Sequence, residues 1–243
     1  MHTDRDTALA RAISTLQRRW GPASVQPAAQ LPGYAAVVPT GFPDLDHALR
    51  GGLPRGRIIE LCGRATSGMR SLALHVLASA QRQKLLTAYV DQYHTFDAEH
   101  ATHTGLDLAQ LVLVRPHTPD EARQIVHALV TTRAIDVLVL DHLPVTHARD
   151  AQRMGDALAH LLPTLAGAAI TLLVLRPIAT HGGVPEGDAL AHSAAVRLLL
   201  QHDRWQERHG DVYGYSARVF VLKHPHASMP APVPVTFTVP SVC

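Results

Sequence analysis

Cysteine is close to absent from this chain, with two residues in 243, Cys62 and Cys243. Two thiols so far apart make neither a disulfide framework nor a zinc site, which excludes a small stapled secreted domain and favours a reducing compartment. Charge is sparse too: Asp, Glu, Lys and Arg make up 17% of the residues, and the formal net charge is +2. A nucleic-acid-binding surface usually carries clustered Lys and Arg, whereas here the basic residues are scattered. The one local group, Arg11, Arg18 and Arg19, reads first as the solvated face of a helix. No hydrophobic run approaches the roughly 18 residues of a membrane span. The start, Met1-His2-Thr3-Asp4-Arg5-Asp6, lacks the apolar stretch of a signal peptide. These absences lead to the expectation of a cytoplasmic protein with no membrane partner.

Histidine runs the other way, with 17 residues. His94, His100 and His103, or His224 and His226, invite a metal reading. None combines helical i, i+4 spacing with a cysteine or carboxylate partner, so surface histidines and no metal site are expected.

Hydrophobic residues make up 47% of the chain, enough for one large α/β domain with a short appendage. Near the N-terminus, Leu9, Ala12, Ile13, Leu16 and Trp20 share one face of a helix over residues 8–20. Gly21-Pro22 ends it, and the segment to residue 34, with Pro27, Pro32 and Gly33, reads as a linker. The division is therefore 1–34, helix and linker, and 35–243, core. Within the core, short apolar runs at 57–62, 85–91, 111–115, 136–141 and 170–175 alternate with helical stretches. Runs of that kind are strands buried on both faces of a mainly parallel sheet, with helices on both sides. Thr118-Pro119-Asp120-Glu121 forms a capping box with proline at the first helical position. Met154, Leu158, Leu161, Leu162 and Leu165 mark another helix, which Pro163 kinks or shortens. Residues 194–200, 217–222 and 234–239 read as later strands that extend the sheet.

The chemistry concentrates at Gly63-Arg64-Ala65-Thr66-Ser67-Gly68-Met69-Arg70-Ser71, between an apolar strand and an apolar helix. This is the glycine frame of a phosphate-binding loop. Such a loop cradles phosphates with backbone N–H groups, adds a lysine, and holds Mg²⁺ with a Ser or Thr hydroxyl. Met69 and Arg70 stand where Lys and Ser/Thr belong.

The surroundings of the loop carry a resemblance. Thr40-Gly41, Leu45-Asp46, Leu49, Gly51-Gly52-Leu53-Pro54, Gly56-Arg57 and Glu60 lead into Gly63. Ala88 to Asp91, Gly105-Leu106-Asp107, Asp136 to Asp141, Gly187 to Leu190, Val196-Arg197-Leu198 and Arg218 to Lys223 follow. The series resembles the core of the RecA recombinase superfamily and implies a RecA-like P-loop fold. Within that superfamily, Gly52-Leu53-Pro54-Arg55-Gly56-Arg57, the altered loop, Val114-Arg115-Pro116 and Thr171 to Pro177 look most like ImuA, a RecA-like accessory protein of bacterial mutagenic DNA repair.

The resemblance implies roles that can be placed on this chain. Asp141 falls at the Walker B carboxylate, and Tyr93 at the position of the catalytic Glu. Asp97 and Glu99 lie farther along, and Arg176-Pro177 falls at the polar sensor. Of two lysines that complete a neighbouring protomer's site, Lys223 has a match while the other position is Pro225. Losing the loop lysine removes a contact worth about 1.5–3 kcal/mol, roughly 10–150-fold in affinity. These changes lead to the expectation of a pseudo-ATPase that is not an enzyme. ATP or ADP would be held weakly at Gly63, Thr66, Ser67, Gly68, Met69, Arg70, Ser71 and Asp141. No C-terminal DNA-gathering domain has a match. Both DNA loops, between Asp141 and Met154 and near 179–187, are short, so contact with DNA is expected to be indirect.

The N-terminal helix, with Leu9, Ile13, Leu16 and Trp20, resembles the RecA element that packs on an adjacent subunit. The implied partners are RecA or a RecA-like protein and a mutagenic, Y-family-like polymerase, and the implied setting is the SOS response to DNA damage and translesion synthesis. Two other readings stay open: a divergent recombination ATPase using Arg70 and a displaced carboxylate, and a module that binds single-stranded DNA.

Overall fold

A computed structural model describes residues 2–21, 25, 36–142, 148–179, 183–208, 211–226 and 231–239. The chain separates into two units, Met1–Ala35 and Ala36–Cys243. The first contains helix α1, His2–Trp20, six residues longer at its start than the apolar period predicts. Its first turns are polar and carry no apolar repeat, so periodicity alone does not reveal them. Nearly all of the proline-rich linker lies outside the described residues, as does Cys243.

The second unit opens with a two-stranded ribbon, β1 (Val37–Val38) against β2 (Leu53–Pro54), with the short helix α2 (Pro43–Ala48) between them. The sequence pattern shows none of the three. They are fixed instead by Asp46, whose Oδ1 accepts from the Thr40 amide at 2.7 Å and its hydroxyl at 2.8 Å.

The main sheet then begins with β3 (Ile58–Gly63), followed by α3 (Met69–Arg82), β4 (Thr87–Asp91) and α4 (Ala98–His103). It continues through β5 (Leu111–Val114), α5 (Pro119–Thr131) and β6 (Val137–Asp141). Helices α6 (Ala148–His160) and α7 (Leu162–Ala168) precede β7 (Thr171–Pro177) and α8 (Ala189–Ser193). Strands β8 (Val196–Arg208), β9 (Asp211–Lys223) and β10 (Val233–Thr238) close the chain. The order across the sheet is β10-β9-β8-β3-β7-β6-β4-β5. Strands β3 to β8 pair in parallel, and β9 and β10 add antiparallel strands at one edge. This is the mainly parallel α/β fold that the alternation predicts.

The two-residue period of the strands divides the core. Ile59 and Leu61, Val137 and Val139, and Leu173 and Leu175 face a cluster with Leu72, Val76 and Leu77 of α3. The intervening Ile58, Leu138, Leu140, Leu172 and Val174 pack against Ala122 and Val126 of α5, Met154 and Leu158 of α6, and Leu165 of α7. Successive side chains point to opposite faces, so an unbroken apolar strand must be covered on both sides.

The helix starts follow the local sequence. The Thr118 hydroxyl accepts from the Glu121 amide at 3.1 Å, while the Glu121 carboxylate reaches back one residue farther than a capping box requires, to the His117 amide at 2.8 Å. The expected break between α6 and α7 falls at Leu161, two residues before Pro163.

Strands β8 and β9 outrun their predicted spans by several residues each. Residues 201–208 and 211–216 are mostly polar, and they become strand chiefly because they pair with each other, with Tyr215 alone among them joining the buried apolar cluster. Among the described residues no helix is long and apolar enough to cross a membrane.

Candidate nucleotide-phosphate site

Parallel strands deliver their C-terminal ends to one edge of the sheet, where open α/β sheets bind ligands. The loop after β3 arrives there beside Asp91 of β4 and Asp141 of β6, which stand opposite each other in the parallel register. Gly68 begins α3 with φ +94°, a conformation open to glycine, and a Cβ there would lie 2.7 Å from the Phe237 ring. A Cβ on Gly63 would collide with Ser67 Oγ and lie 2.8 Å from the Leu200 carbonyl. Both glycines are thus required by close approach. No side chain caps α3, so the amides of its first turn face the space an anion would fill.

Three of the four buried side-chain atoms without a hydrogen-bond partner among the described residues gather at this edge: Ser67 Oγ, Gln92 Oε1 and His202 Nε2. Buried polar atoms are rarely left unpaired, and such a group calls for an explanation. Ser67, 1% exposed, also lines a cavity of about 590 Å³ together with Arg64, Thr66, Ile178, His202 and Trp205. Arg64, Thr66 and Ser67 belong to the loop after β3, whereas Ile178, from the residues after β7, and His202 and Trp205, from β8, are absent from the sequence reading. The pairing of Gly63 with Leu200 on one side and with Pro177 on the other brings them to the loop.

Asp141 and Asp91 are both heavily bonded. Asp141 is 1% exposed, and its Oδ2 accepts from Arg70 Nε at 2.6 Å, Tyr89 Oη at 2.6 Å and Thr95 Oγ1 at 3.3 Å. Its Oδ1 lies 3.3 Å from His142 Nδ1. Burial pushes the Asp141 carboxyl up, but hydrogen bonds from His142, Arg70 and Tyr89 and the Arg70 charge outweigh it and hold the group below its ordinary value. The same pairing overcomes burial at Arg70 and raises it further. Burial and the Asp141 charge push the Tyr89 hydroxyl well up, so it stays a donor. Asp91, fully buried, accepts from the amides of Thr95 at 2.8 Å and Phe96 at 3.1 Å and pairs with Arg115 at 3.2 Å.

The remaining expected site residues divide. Met69, at the place of the lysine, is 3% exposed and packs in the core rather than toward the loop. The Ser71 hydroxyl is taken by His100 Nε2 at 2.9 Å and Tyr215 Oη at 2.7 Å. Asp97 caps α4, accepting from the Glu99 and His100 amides, so it is no displaced catalytic carboxylate. Glu99 is exposed. Arg176 belongs to a buried ion cluster with Glu60, Asp188 and Arg197, which ties β3, β7, β8 and α8 together rather than facing the loop as a sensor. Lys223 donates to the carbonyls of Ala191 at 3.1 Å and His192 at 2.7 Å, at the end of α8. Of the first DNA loop, residues 143–147 lie outside the described residues and 148–153 belong to α6; part of the second loop also lies outside them.

Among the described residues no group of His, Cys, Asp or Glu could hold a metal ion. The histidines, however, are not all surface groups. Burial and the nearby charges of His100, Arg82 and His103 press His75 down to about 4, and His142 stacks on Tyr93 at 4.3 Å.

The RecA N-terminal domain matches residues 7–173, more than half of the chain. The chain belongs to the RecA family. Proteins named RecA from Salinispora arenicola (34% identical over 245 residues), Chloroflexus aggregans (32% over 246) and Amycolatopsis mediterranei (35% over 246) are similar to it. In each pair the similarity covers 91% of this chain and 70% of the relative.

This finding corrects one expectation. A chain so similar to RecA proteins along nearly its whole length stands with an enzyme family, and the expectation of a non-enzyme is overturned. That expectation rested on side chains counted one position at a time. The fold keeps the glycine turn, the uncapped helix start, two buried carboxylates and two arginines at the same edge, a polar ensemble that no single position reveals.

Proposed function

We propose that this RecA-family protein serves in the bacterial DNA-damage response as an accessory to translesion synthesis, binding protein partners while holding a nucleoside phosphate at the loop of residues 63–71. The observation that carries the phosphate part is the buried, unpartnered Ser67 Oγ beside the uncapped start of α3. An anion there gains the helix-start amides and the Ser67 hydroxyl. The core-packed Met69 withholds an ammonium, so ADP or ATP binds roughly 10–150-fold more weakly than with a lysine in place.

The partner-binding part rests on α1. Leu9 is 60% and Trp20 58% exposed, with Ile13 and Leu16 partly so on the same face, an apolar stripe offered to a partner helix or sheet. RecA or a RecA-like protein and a mutagenic polymerase are the proposed partners, the reading to which the ImuA-like stretches lead. Contact with DNA then comes through them.

Calorimetric titration with ADP and ATP tests the phosphate site, and weakened binding in Ser67→Ala would support it. Triple replacement of Leu9, Ile13 and Leu16 by Asp tests the helix. Association with RecA and polymerase should disappear while the circular dichroism of the core is unchanged. Unaltered association would move the interface to the core.

A further inference from the structure

The family's architecture implies a divalent cation beside the phosphates, and the residues of this chain do not fit one. Mg²⁺ needs near-octahedral oxygen ligands at about 2.0–2.1 Å and usually keeps several waters. The carboxylate that would help to hold it, Asp141, is 1% exposed and already accepts from Arg70, Tyr89 and Thr95 on one oxygen and lies beside His142 on the other. The neighbouring carboxylate, Asp91, is committed to two amides and to Arg115. The Ser71 hydroxyl is held between His100 and Tyr215. Each carboxylate oxygen of Asp91 and Asp141 already has a nitrogen or hydroxyl neighbour, and the oxygens at this edge without a partner among the described residues, Ser67 Oγ and Gln92 Oε1, are neutral and offer a cation no charge.

We infer that Arg70 takes the place of the divalent cation, so that the loop binds nucleoside phosphates without Mg²⁺. The inference rests on the phosphate-site reading and deepens it. One side chain does two things, since it removes the hydroxyl the metal would need and brings its own positive charge to the carboxylate. The charges close without a metal: Asp91 and Asp141 are matched by Arg115 and Arg70. The Arg70 side chain remains 33% exposed, and its contact with Asp141 uses Nε. A guanidinium has further N–H donors in a planar fork suited to phosphate oxygens. It is a permanent cation that needs no ligand shell.

The test is ADP titration into the full chain in excess EDTA and in excess MgCl₂ at matched ionic strength, for the wild type and for Arg70→Thr, which restores a hydroxyl and releases Asp141. The expected result is wild-type affinity equal within about threefold in the two buffers, and a gain of about tenfold or more on adding MgCl₂ to Arg70→Thr. Wild-type binding that needs MgCl₂ overturns the inference and leaves the phosphate site standing. If ADP binds in neither buffer, the phosphate reading falls, and Mn²⁺ followed by electron paramagnetic resonance in the nucleotide-free protein decides the rest. A Mn²⁺ site appearing only in Arg70→Thr upholds displacement of the cation by Arg70. A site present in the wild type and lost in Asp141→Asn, or a site in neither protein, overturns it.

Discussion

Replacing Arg70 by Met keeps most of the side-chain volume and removes the charge that faces Asp141. The carboxylate then loses its 2.6 Å bond to Nε and keeps the Tyr89 and His142 contacts. A hydrogen bond to a charged group contributes about 1.5–3 kcal/mol. Because Arg70 is 33% exposed, water partly screens the pair and replaces the lost donor, so a cost at or just below the bottom of that range, about 1–2 kcal/mol, is expected. Urea denaturation should show a lower midpoint at unchanged slope.

The pH dependence sharpens this. Asp141 is held below its ordinary carboxylate value, so its stabilisation is present above that unfolded value and is lost as pH falls through the lower folded one. The difference between wild type and Arg70→Met should therefore be full at neutral pH and shrink below about pH 4. A double-mutant cycle with Asp141→Asn isolates the coupling. A neutral-pH difference below the error of the measurement, or one that grows on acidification, would refute the claim that this pair stabilises the fold.

Tyr89→Phe removes the other short donor to Asp141 from a buried position and should cost about 1.5–3 kcal/mol in the same assay. Glu60→Gln leaves Arg176 and Arg197, both 9% exposed, without their shared carboxylate charge, and should cost about 3–5 kcal/mol, read as a drop in the denaturation midpoint. Thr118→Ala removes the cap of α5 and should cost about 1 kcal/mol, seen as a shift in melting temperature. Burial, together with the Glu60 charge, pushes the Cys62 thiol up to about 12, so at pH 8 a thiol reagent should modify it in the native protein only at the rate of unfolding.

The sequence by itself determined the layers. Unbroken apolar strands such as Val137 to Asp141 can be buried only with cover on both faces, and the helix starts at Thr118 and the break near Pro163 follow from local hydrogen bonding and ring geometry. It also placed the loop, since Gly63 and Gly68 sit where a Cβ cannot. What it could not supply were distances between residues far apart in the chain. Arg70 and Asp141 are 71 positions apart, Arg197 and Glu60 137, and Ser71 and Tyr215 144. Each of these residues has an ordinary identity on its own, and its role comes from the partner that strand order brings beside it. Strands β8 and β9 make the same point for the backbone: the mostly polar residues 201–208 and 211–216 carry no strand period, and their pairing decides their conformation. Local chemistry is written in the order of residues, whereas the charge balance of the site exists only once the sheet has brought β4, β6 and the loop after β3 to one edge.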